Sequence, residues 1–177
     1  MNIVLTGYRC CGKTSTGKVI AQKLGMDFMD TDEIIVEKSG SSIDKIVSVS
    51  GWEYFRKIEA ETVKGLSSCD NIVISTGGGV VTNNENIVNL KKNGFIVWLY
   101  AGIDIIKKRL AGDINTDINR PSLTGINPVD EIITVLEQRE PLYRTAGDIS
   151  VDTGRYDICR TADIIIDKYR YYLKAEN

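Results

Sequence analysis

Eight residues near the start of the chain, GYRCCGKT at positions 7–14, match the pattern GxxxxGK[ST]. Glycines in such a loop let backbone N–H groups turn inward and bind an anion, and the N-terminus of the following helix adds partial positive charge. Lys13 can reach the β- and γ-phosphates, and the Thr14 hydroxyl can bind Mg²⁺. Because the pattern follows a predicted strand and opens a predicted helix, it indicates a nucleoside triphosphate site rather than an ordinary glycine-containing turn.

Two aspartates, Asp30 and Asp32 in MDTDE, are the second candidates for chemistry. If this segment is extended, alternate side chains point the same way, and both carboxylates can face the phosphate site. One could then hold Mg²⁺ through water while the other accepts a proton from an acceptor hydroxyl. The alternative is structural: the aspartates begin a helix, with Thr31 or Asp32 as its N-cap before EIIVEK.

Three arginines, Arg56, Arg120 and Arg139, could bind an acidic substrate, because a guanidinium group pairs bidentately with a carboxylate. Arg120 lies in a long polar segment, residues 111–126, which is either a lid or a plain surface loop. Closure of a lid would bring this arginine over the transferred phosphoryl group. The structural alternatives are a solvated helix face, a loop charge and a helix-end cation.

The segment STGGGVV at positions 75–81 separates classes of P-loop protein. A GTPase switch would carry an NKxD sequence, which is absent, and a motor would have a carboxylate at the end of a strand. Here Gly77, Gly78 and Gly79 follow the strand instead, at the edge where open α/β sheets bind ligands. Glycines let a small substrate approach the main chain closely, so the pattern favours a small-molecule kinase.

The composition is that of one ordinary globular domain: 177 residues, 42% hydrophobic and 26% charged. The net charge of −2 gives no reason to expect nucleic acid as the main partner. Histidine is absent, which excludes Ser-His-Asp catalysis and histidine-ligated metals. The four cysteines form no CxxC pair, which predicts free thiols and a reducing, cytosolic compartment. Since no apolar run approaches about 20 residues, no membrane span is expected.

Short apolar runs alternate with stretches of helical periodicity, the pattern of a parallel α/β sheet. Strands are predicted at residues 2–5, 27–30, 71–75, 95–100 and 148–151. Helices are predicted at about 12–24, 52–66, 84–92 and 103–110, from 127 onward, and near the end of the chain. The helix from 127 should bury Val129, Ile132, Ile133 and Leu136, and the last helix Ile158, Ala162, Ile165 and Tyr169.

The segments GYRCCGKT, FMDTDE, GWEYFRKIE, STGGGVV, NRPSLTG and REPLYR occur in the order seen in shikimate kinases. The resemblance extends from residue 1 to about 155. It implies a nucleoside-monophosphate-kinase-like fold, a five-stranded parallel sheet flanked by helices, with a lid at about 111–126 of one domain spanning 1–177. It also implies ATP- and Mg²⁺-dependent phosphorylation of the shikimate 3-hydroxyl, in the pathway to chorismate and aromatic amino acids. We expect a cytoplasmic monomer that binds shikimate and ATP, and no nucleic acid or membrane.

The resemblance further implies a role for each site residue. The nucleotide would be bound by the P-loop residues Gly7, Cys10, Cys11, Gly12, Lys13, Thr14 and Ser15, by Arg120, and by Arg155 or its neighbour Tyr156, with Arg109 beside the adenine. Magnesium would be held by Thr14 and, through water, by Asp30. Shikimate would be bound by Asp32, Arg56, Gly77, Gly78, Gly79 and Arg139, with its carboxylate between the two arginines. Asp32 is the candidate base, and Lys13 and Arg120 would stabilise the transferred group.

One departure is Cys10, which stands where many shikimate kinases have glycine. A thiol beside phosphates and a helix start can have a lowered pKa, although an inert small side chain is the simpler interpretation. Two other functions stay open. A gluconate kinase of the same fold would share the P-loop and the acceptor acid, and a nucleotide-binding module without catalysis would share the P-loop.

Overall fold

The central sheet of the protein has five parallel strands. In this computed structural model, which describes residues 1–112 and 131–175, the strands are Asn2–Thr6 (β1), Asp27–Asp30 (β2), Ile72–Ser75 (β3), Gly94–Tyr100 (β4) and Ile149–Asp152 (β5). Their order is β2-β3-β1-β4-β5. Every residue of the central strand β1 is buried, as expected of a parallel strand covered on both faces. The predicted fold class is confirmed, and all five predicted strands are present.

The register of the sheet brings three sequence motifs to one edge. Ser75, the last residue of β3, pairs with Leu5 of β1 on one side and with Asp30 of β2 on the other. The chain leaves β1 into the P-loop, β2 into Thr31-Asp32 and β3 into the glycine run. These motifs therefore meet at the carboxyl ends of adjacent strands, where doubly wound sheets bind ligands.

The described residues form seven α-helices around the sheet. They are Lys13–Leu24 (α1), Thr31–Ser39 (α2), Ile43–Ser67 (α3), Asn84–Lys91 (α4), Ile103–Ala111 (α5), Glu131–Ala146 (α6) and Ile158–Ala175 (α7). Two differ from the prediction: α2 was considered only as the structural alternative for the aspartate pair, and α3 begins at Ile43 rather than at residue 52. None of the described helices is long and apolar enough to cross a membrane.

A kink at Gly51 explains why the first part of α3 was not predicted. Gly51 has φ 81° and ψ 167°, which breaks the helix between two helical parts. The left-handed φ favours glycine. The part before the kink carries Ile43 and Ile46, which form a small core with Ile35 of α2 and Phe55. The two helices thus make a compact unit beside β2.

The main core lies on both faces of the sheet because strand side chains alternate. Ile3 and Leu5 of β1 share a core cluster with Ile165 of α7 on one face. Val4 shares a second cluster with Val63 of α3 on the other. The buried stripe of α7 is therefore as predicted at Ile165, and also at Ala162 and Tyr169, whereas Ile158 at the start of the helix is exposed.

The predicted face of α6 was partly wrong. Ile132 and Val135 are buried, whereas Ile133 is 44% exposed. Leu136 is partly buried against the core, so the prediction was correct at Ile132, held in part at Leu136, was wrong at Ile133 and omitted Val135. The predicted helix start at 127 and the Val129 position lie outside the described residues. Of the polar segment 111–126, Ala111 ends α5, and residues 113–126 also lie outside them.

Candidate active site

The P-loop joins β1 to α1 through backbone conformations that require glycine at two positions. Gly7 has φ 138°, and a Cβ there would overlap the backbone of Leu99. Gly12 has φ 85° and is the N-cap of α1. Cys10 has φ 60°, a left-handed conformation that side chains other than glycine seldom adopt. A glycine would adopt this conformation more readily than the cysteine that stands here.

Lys13, the first residue of α1, lies back across the loop. Its Nζ donates to the carbonyl oxygens of Gly7 at 2.8 Å and of Tyr8 at 2.9 Å. These bonds fix the ammonium group at the N-terminus of α1, where the helix dipole also favours an anion. The arrangement is suited to binding phosphate.

Thr14 and Asp30, the two residues expected to hold magnesium, lie side by side. The Thr14 hydroxyl donates to Asp30 Oδ2 at 3.0 Å. Asp30 Oδ1 accepts the backbone N–H of Asp32 at 3.0 Å and so caps α2. The capping alternative is thus correct in kind, but the cap is Asp30 rather than Thr31 or Asp32. An adjacent hydroxyl and carboxylate fit Mg²⁺, which takes oxygen ligands and completes its shell with phosphates and waters.

Asp32 lies in the first turn of α2, so the predicted extended conformation of this residue was wrong. It nevertheless lines the same cavity as Asp30. A Cβ on Gly77 would be only 2.7 Å from Asp32 Oδ1 and 3.0 Å from Glu59 Oε1. The Gly77 N–H also donates to Thr31 Oγ1 at 2.8 Å. Gly77 therefore leaves room for two carboxylates against the end of β3.

Arg56 and Arg139 meet at the remaining glycines. Arg56 lies so close to Gly79 that a Cβ there would overlap its guanidinium group. Arg139 Nη1 donates to the Gly78 carbonyl at 3.1 Å, and the Tyr143 hydroxyl donates to the same oxygen. Both arginines line the cavity. The two guanidinium groups thus come to one turn from different helices, α3 and α6. We call this arginine pair the carboxylate clamp, because two guanidinium groups at one turn can bind a single carboxylate.

Glu59 is a site residue that sequence reasoning missed. It is 1% exposed, and its Oε2 accepts from Arg56 Nη1 at 2.7 Å. Burial raises the pKa of this carboxyl above its usual 4.5, and the charge of Arg56 opposes that shift. The sequence FRKIE could have indicated this ion pair, because Arg56 and Glu59 are three residues apart and residues at that spacing are neighbours on a helix. Glu59 holds Arg56 against Gly79.

The cavity measures about 1000 Å³ and extends from Arg56 and Arg139 past the P-loop. At its far side Arg109 Nη1 donates to the Cys10 carbonyl at 3.1 Å and to Thr153 Oγ1 at 3.0 Å. One continuous space therefore has room for a nucleotide and a small acceptor.

Some of the remaining residues predicted to bind the nucleotide line the cavity, and others do not. Cys10 and Ser15 line the cavity. Cys11 is buried in the core, and burial raises the pKa of its thiol. Arg155 is exposed and does not line the cavity, whereas its neighbour Tyr156 does. Arg120 lies outside the described residues.

Comparison with known proteins identifies the family. A family model described as Shikimate kinase matches residues 9–170. The chain belongs to the shikimate kinase family. A shikimate kinase from Caldicellulosiruptor bescii is 43% identical over 86% of this chain and 86% of its own. The structure of a shikimate kinase from Acinetobacter baumannii, in complex with shikimate, has a TM-score of 0.89 and 32% identity over 97% of this chain and 93% of its own.

Membership in the shikimate kinase family confirms the predicted enzyme class and function. A kinase of this family phosphorylates an alcohol group of shikimate, in aromatic biosynthesis. A gluconokinase from Sinorhizobium meliloti also resembles the chain, with a TM-score of 0.58 and 17% identity over 99% of this chain and 97% of its own. That likeness shows a shared fold alone.

Proposed function

We propose that the chain transfers the γ-phosphoryl group of ATP to the 3-hydroxyl of shikimate within this one cavity. The observation that carries the proposal is the meeting of Arg56 and Arg139 at Gly78 and Gly79, in the space that also contains Lys13. A small carboxylic acid bound there lies beside the phosphate end of a nucleotide in the P-loop. The two substrates are then held in the proximity that transfer requires.

The acceptor is bound through its carboxylate and its hydroxyl groups. Arg56 and Arg139 clasp the carboxylate, and their planar forks fix its orientation. Gly77, Gly78 and Gly79 let the ring lie against the main chain. Asp32, which lies beside Gly77 in the same cavity, accepts the hydroxyl hydrogen bonds and positions the 3-hydroxyl.

The nucleotide is bound by the P-loop. Backbone N–H groups at Cys10 to Thr14 and the Lys13 ammonium hold the phosphates, and Arg109 and Tyr156 line the far part of the cavity beside the base. Thr14 and Asp30 would hold Mg²⁺, which supplies charge neutralisation between the phosphates. The contribution of this chain is to present the hydroxyl and carboxylate side by side.

Transfer itself depends on positioning and charge. Asp32 orients the 3-hydroxyl and accepts its proton as the bond to phosphorus forms. Lys13 stabilises negative charge on the transferred group, and Arg120 adds a second cation from the predicted lid segment. The phosphoryl group passes directly from ATP, which leaves as ADP, to the 3-hydroxyl oxygen, with no covalent intermediate on the protein.

The reaction takes place in the cytoplasm, in a single copy of the chain. None of the four cysteines, all of which lie among the described residues, forms a disulfide, which supports a reducing compartment. We expect the chain to act as a monomer. Size-exclusion chromatography with light scattering tests this, and a dimer that dissociates into inactive monomers would contradict it.

An ADP-release assay tests the function. The purified chain, ATP and MgCl₂ are incubated with shikimate, with gluconate or with a nucleoside monophosphate. We expect ADP release with shikimate, and none above background with the other acceptors. The Lys13→Met variant, prepared in the same way, controls for contaminating kinases. Release with gluconate alone would contradict the proposal, and ATP binding without turnover on any acceptor would favour a non-catalytic module.

A further inference from the structure

Arg9 is an arginine within the P-loop itself. Its Nη2 lies 3.1 Å from Glu131 Oε1, and the two side chains are 11% and 0% exposed. Its guanidinium carbon lies 5.6 Å from the centre of the Tyr8 ring. Glu131 is the first residue of α6, the helix that also carries Arg139. The ion pair therefore ties the phosphate loop to the helix that supplies half of the proposed carboxylate clamp.

The other terminal nitrogen of the Arg9 guanidinium group, Nη1, does not take part in the ion pair with Glu131. Nη1 is buried and has no hydrogen-bond acceptor among residues 1–112 and 131–175. A buried, charged donor without an acceptor is strongly unfavourable, and such groups are rare in folded proteins. They are expected where a ligand supplies the missing acceptor.

The position of Arg9 indicates which kind of ligand that is. Arg9 lines the same cavity as Arg56 and Arg139. Its backbone nitrogen lies 3.7 Å from where a Cβ on Gly78 would be, next to the turn on which both clamp arginines meet. The charged groups proposed to bind near this turn are both oxyanions: the acceptor carboxylate and the terminal phosphoryl group.

Two arginines of the site each form an ion pair with a buried glutamate. Glu59, 1% exposed, pairs with Arg56, and Glu131, 0% exposed, pairs with Arg9. In each pair the glutamate is buried and fixes one end of a guanidinium group. For Arg56 the fixed group faces the proposed carboxylate site. The same arrangement at Arg9 is typical of a guanidinium held ready for an anion.

We propose that Arg9 is a further oxyanion-binding arginine of the site, beside Arg56 and Arg139, with Glu131 holding Nη2 while Nη1 donates to an oxygen of a bound substrate. This proposal rests on the proposed function. The oxygen belongs either to the acceptor carboxylate or to a phosphoryl group of ATP. Both are anionic oxygens to which a guanidinium donates, and the two sources are separated by measuring each substrate in turn.

The experiment removes the arginine with and without its partner. Arg9→Met alone takes away the guanidinium that faces the buried Glu131 carboxylate, which destabilises the fold whatever else Arg9 does. The double variant Arg9→Met with Glu131→Gln removes both charges and should recover most of the lost melting temperature. Arg170→Met, an exposed arginine on α7, is the matched control. For each variant we measure melting temperature, kcat, and the KM of shikimate and of ATP.

We expect the double variant to keep a KM that is raised about tenfold or more for one of the two substrates, because one charged hydrogen bond to that substrate is lost. A raised shikimate KM assigns Nη1 to the carboxylate, and a raised ATP KM assigns it to phosphate. A double variant with both KM values and kcat within twofold of the wild type would overturn the proposal, because Arg9 would then serve only to neutralise Glu131.

Two further measurements keep the test decisive. Arg9→Lys keeps the positive charge beside Glu131 but loses the fork, so it should fold and still show the raised KM; an unchanged KM would count against the proposal. Calorimetric titration of the variants with shikimate and with ATP needs no turnover. If wild type binds both ligands but does not release ADP, the proposed function fails, while weakened binding in the double variant still supports Arg9.

Discussion

The guanidinium group of Arg56 occupies the space into which a Cβ on Gly79 would project. Gly79 has φ −94° and ψ −5°, an ordinary conformation for any residue. The glycine is therefore required by the neighbouring arginine and not by the backbone. Glu59 fixes the other side of the same guanidinium group. The last glycine of the run after β3 and the arginine of α3 are thus one structural unit.

Gly79→Ala should displace Arg56 without unfolding the protein. A long arginine side chain can move, so we expect a change of at most a few degrees in melting temperature. The displaced guanidinium group should no longer bind the carboxylate. Because one charged hydrogen bond is then lost, the shikimate KM should rise by about tenfold or more. Steady-state kinetics with shikimate as the varied substrate checks this.

Gly102→Ala is the matched control for that experiment. A Cβ on Gly102 meets no atom within 4 Å, and its φ of −60° suits alanine. Its kinetics should equal those of the wild type. A Gly79→Ala variant with an unchanged shikimate KM would show that the position of Arg56 does not matter for the acceptor.

Asp32→Asn should lower kcat far more than it weakens ATP binding. The amide cannot accept the proton of the acceptor hydroxyl, and general-base contributions are typically about 100- to 10,000-fold. Asp27→Asn, an exposed residue of β2, is the control for loss of a nearby acid. Turnover near the wild-type value in Asp32→Asn would remove this residue from the catalytic machinery.

Arg139→Lys should raise the shikimate KM with a smaller effect on the KM of ATP. Lysine keeps the charge but loses the fork, and with it the bond from Nη1 to the Gly78 carbonyl. We expect a change of about tenfold, measured with each substrate varied in turn. Arg144→Lys, on the exposed face of the same helix, should leave both values unchanged. Equal KM values for Arg139→Lys and wild type would argue against a carboxylate clamp.

Lys13→Met should abolish turnover, with kcat reduced roughly 100-fold or more, because the transferred group loses a preorganised cation. Lys13 also bonds to the carbonyls of Gly7 and Tyr8, so melting temperature must be measured beside ADP release. A folded variant with substantial turnover would contradict the assignment of Lys13. Lys18→Met, on the exposed side of α1, is the control.

Glu59→Gln should change how stability depends on pH. Burial raises the folded-state pKa of Glu59 above 4.5, so the folded state keeps this proton at pH values where the unfolded chain has lost it. Stability contributed by the group is therefore present below about 4.5 and declines as the pH rises toward the folded-state pKa. Glutamine does not titrate. The melting temperature of Glu59→Gln relative to wild type should therefore increase from pH 4 upward.

The matched control for Glu59 is Glu61→Gln, an exposed position on the same helix. Its melting temperature relative to wild type should be nearly constant over the same pH range. A constant difference for Glu59→Gln as well would mean that the folded-state pKa of Glu59 is not raised.

The strands could be predicted from sequence because buried parallel strands are short apolar runs that end at glycine or polar residues. Ile72–Ser75 and Gly94–Tyr100 differ from the predicted bounds by one residue at one end. The helix α2 was missed as an element because DTD was interpreted as extended. The side chain of Asp30 caps that helix through a bond to the Asp32 N–H, and aspartate is common both at strand ends and at caps.

Site residues could be predicted from sequence where a local motif defines their role, as for Lys13 and Thr14 in the P-loop. They could not be predicted where the role depends on residues that are distant in sequence. Nothing in the sequence around Arg9 indicates that its partner is Glu131, far along the chain, or that the described residues offer Nη1 no acceptor. Likewise, the choice between Arg155 and Tyr156 depends on which side chain the turn after β5 directs toward the cavity.

The most direct test of the account is a crystal structure of this chain with shikimate and ADP bound. We predict that both oxygens of the shikimate carboxylate lie within hydrogen-bond distance of the Arg56 and Arg139 guanidinium groups, and that the 3-hydroxyl lies beside Asp32. A shikimate molecule whose carboxylate contacts neither arginine, or whose 3-hydroxyl faces away from the P-loop, would contradict it.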